Sequence, residues 1–381
     1  MGGVQGGLNY MKIGFDAKRA FFNKSGLGNY SRDTISILSD FFPMNEYILY
    51  SPKPSKSILF RKVPNISVRG PLKFFHKVIP SYWRTYGLVE QIVGDKIQLF
   101  HGLSNELPVG IENTSIPSIV TIHDIIFMRY PQLYKSIDRK IYEKKSKYAA
   151  KRASRIIAVS QQTKDDLVKF FGIPQEKIEV VYQGCHPIFW ENVDEFRKAE
   201  IIMKYLIPDK YILYVGTIEE RKNLLNILKA IQHGKISLPL VVIGRQTGYL
   251  KKVINYIDRF KIKNVYFLHD VPNEDLPAIY QKAALFVYPS LFEGFGIPIL
   301  EALTSKTPVI TTRGGCFFEA GGKSSLYVDP ENVDELAKSI TSVLEDETLR
   351  NNMIIDGFVH AQQFKRDKIA SNILAVYDKV I

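Results

Sequence analysis

Short runs of apolar, often β-branched residues recur along this chain of 381 residues. Between them lie longer stretches in which apolar positions return at helical spacing. In the first half the runs are MKIGFD (11–16), EYILYS (46–51), ISVRG (66–70), IQLFHG (97–102), SIVTIHD (118–124), RIIAVS (155–160) and IEVVYQG (178–184). In the second half they are YILYVGT (211–217), PLVVIG (239–244), VYFLHD (265–270), LFVYPS (285–290), TPVITT (307–312) and SLYVDP (325–330). They are apolar on both faces, as strands of a parallel sheet covered by helices must be. The alternation predicts βαβα units twice over, and hence an α/β protein of two doubly wound, Rossmann-like domains. The rhythm breaks over residues 185–208, around GCHPIFWENVDEFRKAE, where the join is expected. The expected partition is 11–190 for the N-terminal domain, 191–361 for the C-terminal domain and 362–381 for a terminal helix. That last segment places Ile369, Ile373, Val376 and Tyr377 on one face. Residues 1–10, MGGVQGGLNY, lack the charged start and apolar core of a signal peptide and read as a tag remnant or a disordered start.

Composition narrows the class. With 45% hydrophobic and 24% charged residues the chain is soluble and globular in type, and its length suits two cores. No run of about 18 apolar residues offers a membrane span. Two cysteines, Cys185 and Cys316, argue against a disulfide framework and fit a reducing cytoplasm. The net charge of +12 lies wholly in the first half: residues 1–190 hold 27 Lys+Arg against 15 Asp+Glu, and residues 191–381 hold 24 of each. Nine basic residues between Lys135 and Arg155 fall on one expected helix. Such a face is either simply solvated or a surface for an acidic partner such as anionic lipid or a phosphorylated acceptor. Nucleic acid is the weakest reading, because no binding module accompanies the charge.

In doubly wound sheets, ligands gather beyond the carboxyl ends of the strands. The residues that a core does not require fall there: Gly26 and Gly28 after the first run, His123 and Asp124 closing SIVTIHD, Gly216 closing YILYVGT, and EGFG after LFVYPS. Two such sheets facing each other would enclose an interdomain cleft. EGFGIPILEAL reads as a loop followed by a helix, with Pro298 in its first turn. The N–H groups of Gly296, Ile297 and Ile299 are expected to point out of that helix end toward an anion such as phosphate. Glu293 and Glu301, eight positions apart, would flank that anion site. Macrodipole compensation alone explains Glu301 but neither Glu293 nor the glycines. In GTIEERKNL, Arg221 and Lys222 follow a strand and could meet the same phosphates. No Asp-x-Asp pair occurs, so fixed cations rather than a metal are the economical way to neutralise a leaving diphosphate. SGLGNYS lacks the third glycine of a dinucleotide fingerprint and reads as a flexible loop offering donors to phosphate or acceptor. His123, at a strand end, is either structural or orients a sugar.

Together VTIHD, AVSQQTKDDL, ILYVGTIEERKNL, DLPAIYQKAALFVYPSLFEGFGIPILEAL and TPVITT resemble, in order and spacing, family 4 of the retaining glycosyltransferases, whose fold is GT-B. Within the family the pattern looks most like bacterial mannosyltransferases that build surface polysaccharide. The resemblance implies Glu293, His123 and Lys222 as catalytic residues. It implies donor contacts from Gly26, Gly28, Gly216, Thr217, Arg221, Phe295, Gly296, Ile297, Pro298 and Glu301, with Glu301 on the ribose. It implies a terminal helix that crosses back onto the N-terminal, acceptor-binding domain. It implies no cofactor and no metal, a nucleotide-diphosphate sugar as donor (GDP-mannose ahead of UDP- or ADP-sugars), and a glycan or lipid-linked acceptor. The location would be cytoplasmic, with peripheral contact to an anionic membrane through the basic half. The sequence departs from the family at Thr217, where arginine is common, at Glu319 in CFFEA, and at FKR (364–366), where the usual aromatic is missing. An epimerase or a phosphorylase of the same architecture, or a non-catalytic nucleotide-sugar or membrane-binding module, are the alternatives.

Overall fold

The computed structural model describes residues 10–23, 26–54, 59–60 and 63–381. The chain forms two compact units, Met1–Gln183 with Arg366–Ile381, and Gly184–Lys365. In the first, β1 (Lys12–Asp16), β2 (Glu46–Tyr50), β3 (Ile66–Arg69), β4 (Leu99–Gly102), β5 (Ser118–Ile122), β6 (Arg155–Ala158) and β7 (Ile178–Val180) make one sheet. Its order is β3-β2-β1-β4-β5-β6-β7 and every pairing is parallel. In the second, β8 (Ile212–Val215), β9 (Leu240–Ile243), β10 (Val265–Leu268), β11 (Leu285–Tyr288), β12 (Val309–Thr312) and β13 (Leu326–Val328) pair in the order β10-β9-β8-β11-β12-β13, again all parallel.

Every run read as a strand carries one. The strands are shorter than the runs because residues at one or both ends of each run leave the sheet: SIVTIHD pairs only to Ile122 and IEVVYQG only to Val180, whereas IQLFHG enters at Leu99 and TPVITT at Val309. The central strands β4, β5, β9, β11 and β12 are buried along their whole length, which is why their sequences do not alternate. Each fully buried Ile, Val, Leu or Phe contributes about 1.5–3 kcal/mol, and these strands supply much of both cores.

Six helices position the functional residues: α1 (Lys18–Phe22), α2 (Gly26–Phe41), α3 (Phe74–Val78), α4 (Ser136–Arg152), α5 (Ile297–Thr304) and α6 (Arg366–Asp378). Gly26 and Gly28 are not in a loop, contrary to the sequence expectation; they open α2. A Cβ on Gly28 would lie 1.8 Å from the Asn23 carbonyl oxygen, so glycine there lets α2 start against the end of α1. Lys24 and Ser25 of the same motif, like residues 1–9, lie outside the described residues. Tyr10 is described: its hydroxyl donates to Glu46 Oε2 at 2.7 Å. Arg155, read as part of the basic helix, instead opens β6; the helix stops at Arg152 because Ala153 adopts a non-helical conformation. The terminal helix α6 belongs to the first unit, burying Ile369, Ile373, Val376 and Tyr377 as its pattern requires. Arg366 fixes its start through ion pairs to Asp33 (3.7 Å) and Asp40 (3.0 Å) of α2. Among the described residues no helix is long and apolar enough to cross a membrane.

Candidate functional site

Each sheet has one place where neighbouring strands run on in opposite directions through the chain order: β1/β4 in the first unit and β8/β11 in the second. Ligands bind at such switch points because the loops leaving the two strands part there and open a crevice. In the second unit the loop after β8 supplies Gly216, Thr217 and a turn over Glu220–Lys222, and the loop after β11 supplies Ser290–Gly296. The loops are tied together. Leu291 N–H donates to Arg221 O (2.8 Å), and Asn223 Nδ2 donates to Pro289 O (3.1 Å) and Pro330 O (2.7 Å).

Glu293 is the hub. Its Oε1 accepts hydrogen bonds from Ser290 Oγ (2.7 Å), the Tyr288 hydroxyl (2.9 Å) and Lys222 Nζ, and pairs with the Arg221 guanidinium (2.9 Å). Arg221 is held further by the Phe292 carbonyl and by Glu219 Oε1 (2.7 Å). Lys222 Nζ also reaches the Tyr288 hydroxyl. All three charged side chains are largely buried: 12% of the Glu293 and Lys222 side chains and 17% of Arg221 remain exposed. Burial alone would raise the Glu293 pKa, but Lys222 and Arg221 outweigh it and bring the carboxyl down to about 2. For Lys222 burial wins and its pKa falls, although Glu293 pulls the other way. For Arg221 burial is outweighed by Glu293 and Glu219, and its pKa rises.

The helix α5 begins beside this cluster. Gly296, its N-cap, has φ +113°, a left-handed conformation, and a Cβ there would meet Ile299 Cδ1 at 3.1 Å. Pro298 sits in the first turn and no side chain caps the helix. Of the three N–H groups expected to face an anion, that of Ile299 is engaged instead, donating to Gly296 O at 2.9 Å, because the left-handed cap closes the turn on itself. Glu301 lies further along α5, half-buried, and its Oε2 accepts from the Tyr280 hydroxyl at 3.0 Å. Burial pushes its pKa up to about 7, with the Tyr280 bond offsetting part of the effect. Phe295 is buried, its ring set edge-on to Phe364 at 5.5 Å, so the FKR segment brings a packing aromatic although it lacks the family's usual one. Glu319 accepts through its backbone carbonyl from His360 Nε2 at 3.1 Å.

The structure therefore brings Glu293, Arg221, Lys222, Gly216, Thr217, Phe295, Gly296, Ile297, Pro298 and Glu301 to the loops and helix around one switch point. His123, Gly26 and Gly28 belong to the other unit. There His123 is buried, its Nε2 is 2.9 Å from Leu103 O, and its backbone N–H donates to Asn105 Oδ1 at 2.9 Å. A carbonyl only accepts, so Nε2 carries the proton and Nδ1 keeps its lone pair. Burial lowers its pKa to about 4, so the ring is neutral near pH 7 and suits accepting a hydroxyl rather than supplying positive charge. Sequence reasoning missed Tyr288 and Ser290, which look like core at the end of an apolar run, and Cys316, whose Sγ donates to Glu293 O at 3.2 Å. It also missed Gly244: a Cβ there would lie 1.9 Å from Gly216 O.

Two doubly wound parallel sheets of this kind are the architecture of the GT-B fold. Residues 45–187 match the model of Glycosyltransferase Family 4 and residues 198–358 that of Glycosyl transferases group 1, and the chain belongs to the family 4 glycosyltransferases. It is 27% identical to the O-antigen chain mannosyltransferase B of Escherichia coli, over 96% of this chain and 99% of that one. It is 30% identical to the O-antigen chain mannosyltransferase RfbU of Salmonella typhimurium, over 59% of this chain and 60% of that one. Among solved structures it superposes on Anabaena HepE in complex with UDP and glucose with TM-score 0.75 at 19% identity, covering 97% of this chain and 100% of that one.

Proposed function

We propose that this glycosyltransferase retains configuration, needs no metal, and moves a hexose, mannose first, from a nucleotide-diphosphate sugar to a glycan or lipid-linked acceptor in cell-surface polysaccharide synthesis. The observation that carries the reading is the Glu293–Arg221–Lys222 cluster beside the start of α5. Mannose, and with it GDP-mannose ahead of UDP- or ADP-sugars, rests on the names of the two O-antigen relatives.

Donor diphosphate would lie against the α5 N-terminus, with backbone near Ile297 and Pro298, and compete with Glu293 for Lys222 and Arg221. Freed from those cations, Glu293 would accept hydroxyls of the donor sugar, next to the backbone of Phe295 and Gly296. Glu301 would accept the ribose hydroxyls. The anomeric C–O bond to the diphosphate breaks as Arg221, Lys222 and the helix end stabilise the charge on the leaving oxygen. The acceptor oxygen bonds to the same face of the anomeric carbon, and its proton passes to the departing phosphate oxygen. His123 would hold a sugar hydroxyl through Nδ1.

The acceptor is assigned to the first unit. A cavity of about 390 Å³ lies at its switch point, at the end of β1 and beside the loop after β4. Arg84 there is nine-tenths buried between Asp16 and Glu106; its second terminal nitrogen is 2.8 Å from Glu106 Oε2 but out of hydrogen-bond alignment. Asp16, buried, and Glu106, partly buried, together with Tyr86 and Tyr148 in the lining suit the hydroxyls and apolar face of a sugar.

The test is thermal stability of the purified protein with GDP, UDP and ADP, with and without Mg²⁺, for wild type and Glu301→Ala. A ligand that binds only the folded state raises its melting temperature by mass action. One nucleotide should stabilise the wild type regardless of Mg²⁺ and the variant less; no shift with any of the three would remove the donor assignment. The anomeric configuration of the transferred sugar, read by NMR, decides retention.

A further inference from the structure

The sheet of the first unit loses one of its pairings just before His123. β4 and β5 pair in parallel from Phe100 beside Ser118 to Gly102 beside Val120, while β5 runs on to Ile122 and delivers His123 at its end. β4 cannot follow, because its chain folds back at once: a Cβ on Gly102 would lie 2.2 Å from Glu106 O. Thr121, Ile122 and His123 are buried, and buried peptide groups left without partners are costly. Asn105 takes the missing place. Its backbone is left-handed, φ +58°, a conformation that asparagine tolerates better than most residues. Its N–H donates to Thr121 O (2.9 Å), its Oδ1 accepts from the His123 N–H (2.9 Å), and its Nδ2 donates to Asp124 O (3.2 Å). The first two bonds copy those of a parallel strand beside Ile122, with the side-chain amide standing in for a carbonyl. Two residues earlier, Leu103 O takes the His123 Nε2 proton at 2.9 Å. One short loop therefore holds both the backbone and the ring of His123. The His123 carbonyl is taken separately, by Thr163 Oγ1 at 3.2 Å.

We infer that Asn105 is a positioning residue for sugar transfer: by fastening loop 103–105 to the end of β5 it fixes the tautomer and the orientation of His123. The inference rests on the reading in which His123 holds a sugar hydroxyl through Nδ1. A neutral histidine offers that lone pair only while its other nitrogen keeps the proton, and the hydrogen bond made by the other nitrogen decides which tautomer forms. Here that bond runs to the Leu103 carbonyl, which stays against the ring only while the loop stays on β5. A glycine at 105 would adopt the same left-handed backbone without steric cost. If the position served the turn alone, glycine would do as well as asparagine. The two bonds of the amide are what glycine cannot supply.

Asn105→Gly in the full chain is the test, with His123→Ala as the reference. In protein labelled in its histidine nitrogens, heteronuclear NMR separates a protonated ring nitrogen from one bearing a lone pair, and the signals missing from His123→Ala are those of His123. Wild type should show Nε2 protonated and Nδ1 bare. In Asn105→Gly the two resonances should draw together as the tautomers mix. Hydrolysis of GDP-mannose without acceptor, followed as released GDP, should slow by about tenfold in kcat. Stabilisation by GDP should match wild type, because the nucleotide is assigned to the other unit. Asn105→Gly/His123→Ala should be no slower than His123→Ala, since Asn105 acts through the histidine. Asn105→Asp keeps the acceptor for the His123 N–H but turns an oxygen toward Asp124 O, and it gives the same readings if the glycine variant does not fold. A wild-type His123 spectrum in the folded variant, or a further loss in the double variant, overturns the inference. The spectrum needs no donor, so it decides the clamp whatever base the donor carries. His123→Ala with wild-type hydrolysis would instead overturn the sugar reading, and would leave Asn105 a structural part alone.

Discussion

Glu293 holds the two cations that a donor diphosphate would need, and the two roles can be pulled apart by one substitution. Glu293→Gln keeps the shape of the side chain and removes the charge that competes with phosphate. Two buried cations are then left uncompensated, so the ligand-free protein should melt earlier. Its affinity for free nucleoside diphosphate should rise by about tenfold, since the phosphates no longer displace a carboxylate. Sugar transfer should fall by about a hundredfold or more, because the sugar loses its charged acceptor. Calorimetric titration beside a transfer assay would show this opposite movement; a parallel loss of both would mean that Glu293 only holds the loops together. Glu301 gives a pH signature. Its carboxyl titrates near 7 because burial disfavours the ionised form, whereas an unfolded glutamate titrates near its ordinary value of 4.5. Between those two values the folded state holds the extra proton, so this group's contribution to stability falls as pH rises from 4.5 through 7. Hydroxyl binding wants the carboxylate, so nucleotide affinity should rise over the upper part of that range. Glu301→Gln should flatten the affinity profile and melt higher than wild type at pH 8 but not at pH 5. A variant with the wild-type pH profile would remove Glu301 from the nucleotide site.

The strands were legible from the sequence because a parallel strand covered on both faces must be apolar throughout, and no other short element reads that way for so many repeats. The charged members of the site were legible for the opposite reason: Arg221, Lys222 and Glu293 stand directly after such runs, where a core cannot use them. Tyr288 and Ser290 were not, since a buried hydroxyl facing a buried carboxylate is written in the same letters as a strand end. Glycines misled in both directions. Gly26 and Gly28 read as a loop because glycine is a poor helix former, yet contact between α2 and the end of α1 overrides that local preference. Gly244 carried no signal because its reason is tertiary: the backbone after β9 passes against Gly216 after β8. Gly244→Ala tests that element contact. With its Cβ placed 1.9 Å from the Gly216 oxygen, the end of β8 must move, and Gly216 and Thr217 with it. A loss of about 2–4 kcal/mol in stability and a weakened nucleotide-induced shift in melting temperature are expected. Unchanged nucleotide response in a destabilised variant would show that the β8 loop does not touch the donor.

At the scale of the molecule, the chain leaves the first unit at Gln183, builds the second, and returns to the first with α6. The return is secured by more than apolar burial. The Tyr377 hydroxyl lies 2.7 Å from His101 Nδ1, His101 Nε2 lies 2.9 Å from Thr121 Oγ1, and Thr121 Oγ1 lies 3.0 Å from the Tyr30 hydroxyl, all of it buried. The Tyr30 ring in turn stands edge-on to His123 at 4.6 Å. Burial lowers the His101 pKa to about 3, so the ring stays neutral and its two nitrogens depend on these hydroxyls for partners. Tyr377→Phe keeps the packing and leaves His101 Nδ1 without its partner, a loss of about 1–3 kcal/mol. Because Tyr377, His101 and Thr121 all lie in the first unit, the destabilisation should stay there. In scanning calorimetry with saturating nucleotide, the transition that nucleotide does not raise should move down, and the one it does raise should hold its position. A truncation before Arg366 should exaggerate the same pattern by uncovering the sites of Ile369, Ile373 and Val376. If instead Tyr377→Phe lowers the nucleotide-responsive transition by the same amount, the two units unfold as one cooperative body, and the returning helix is the natural place to look for the coupling.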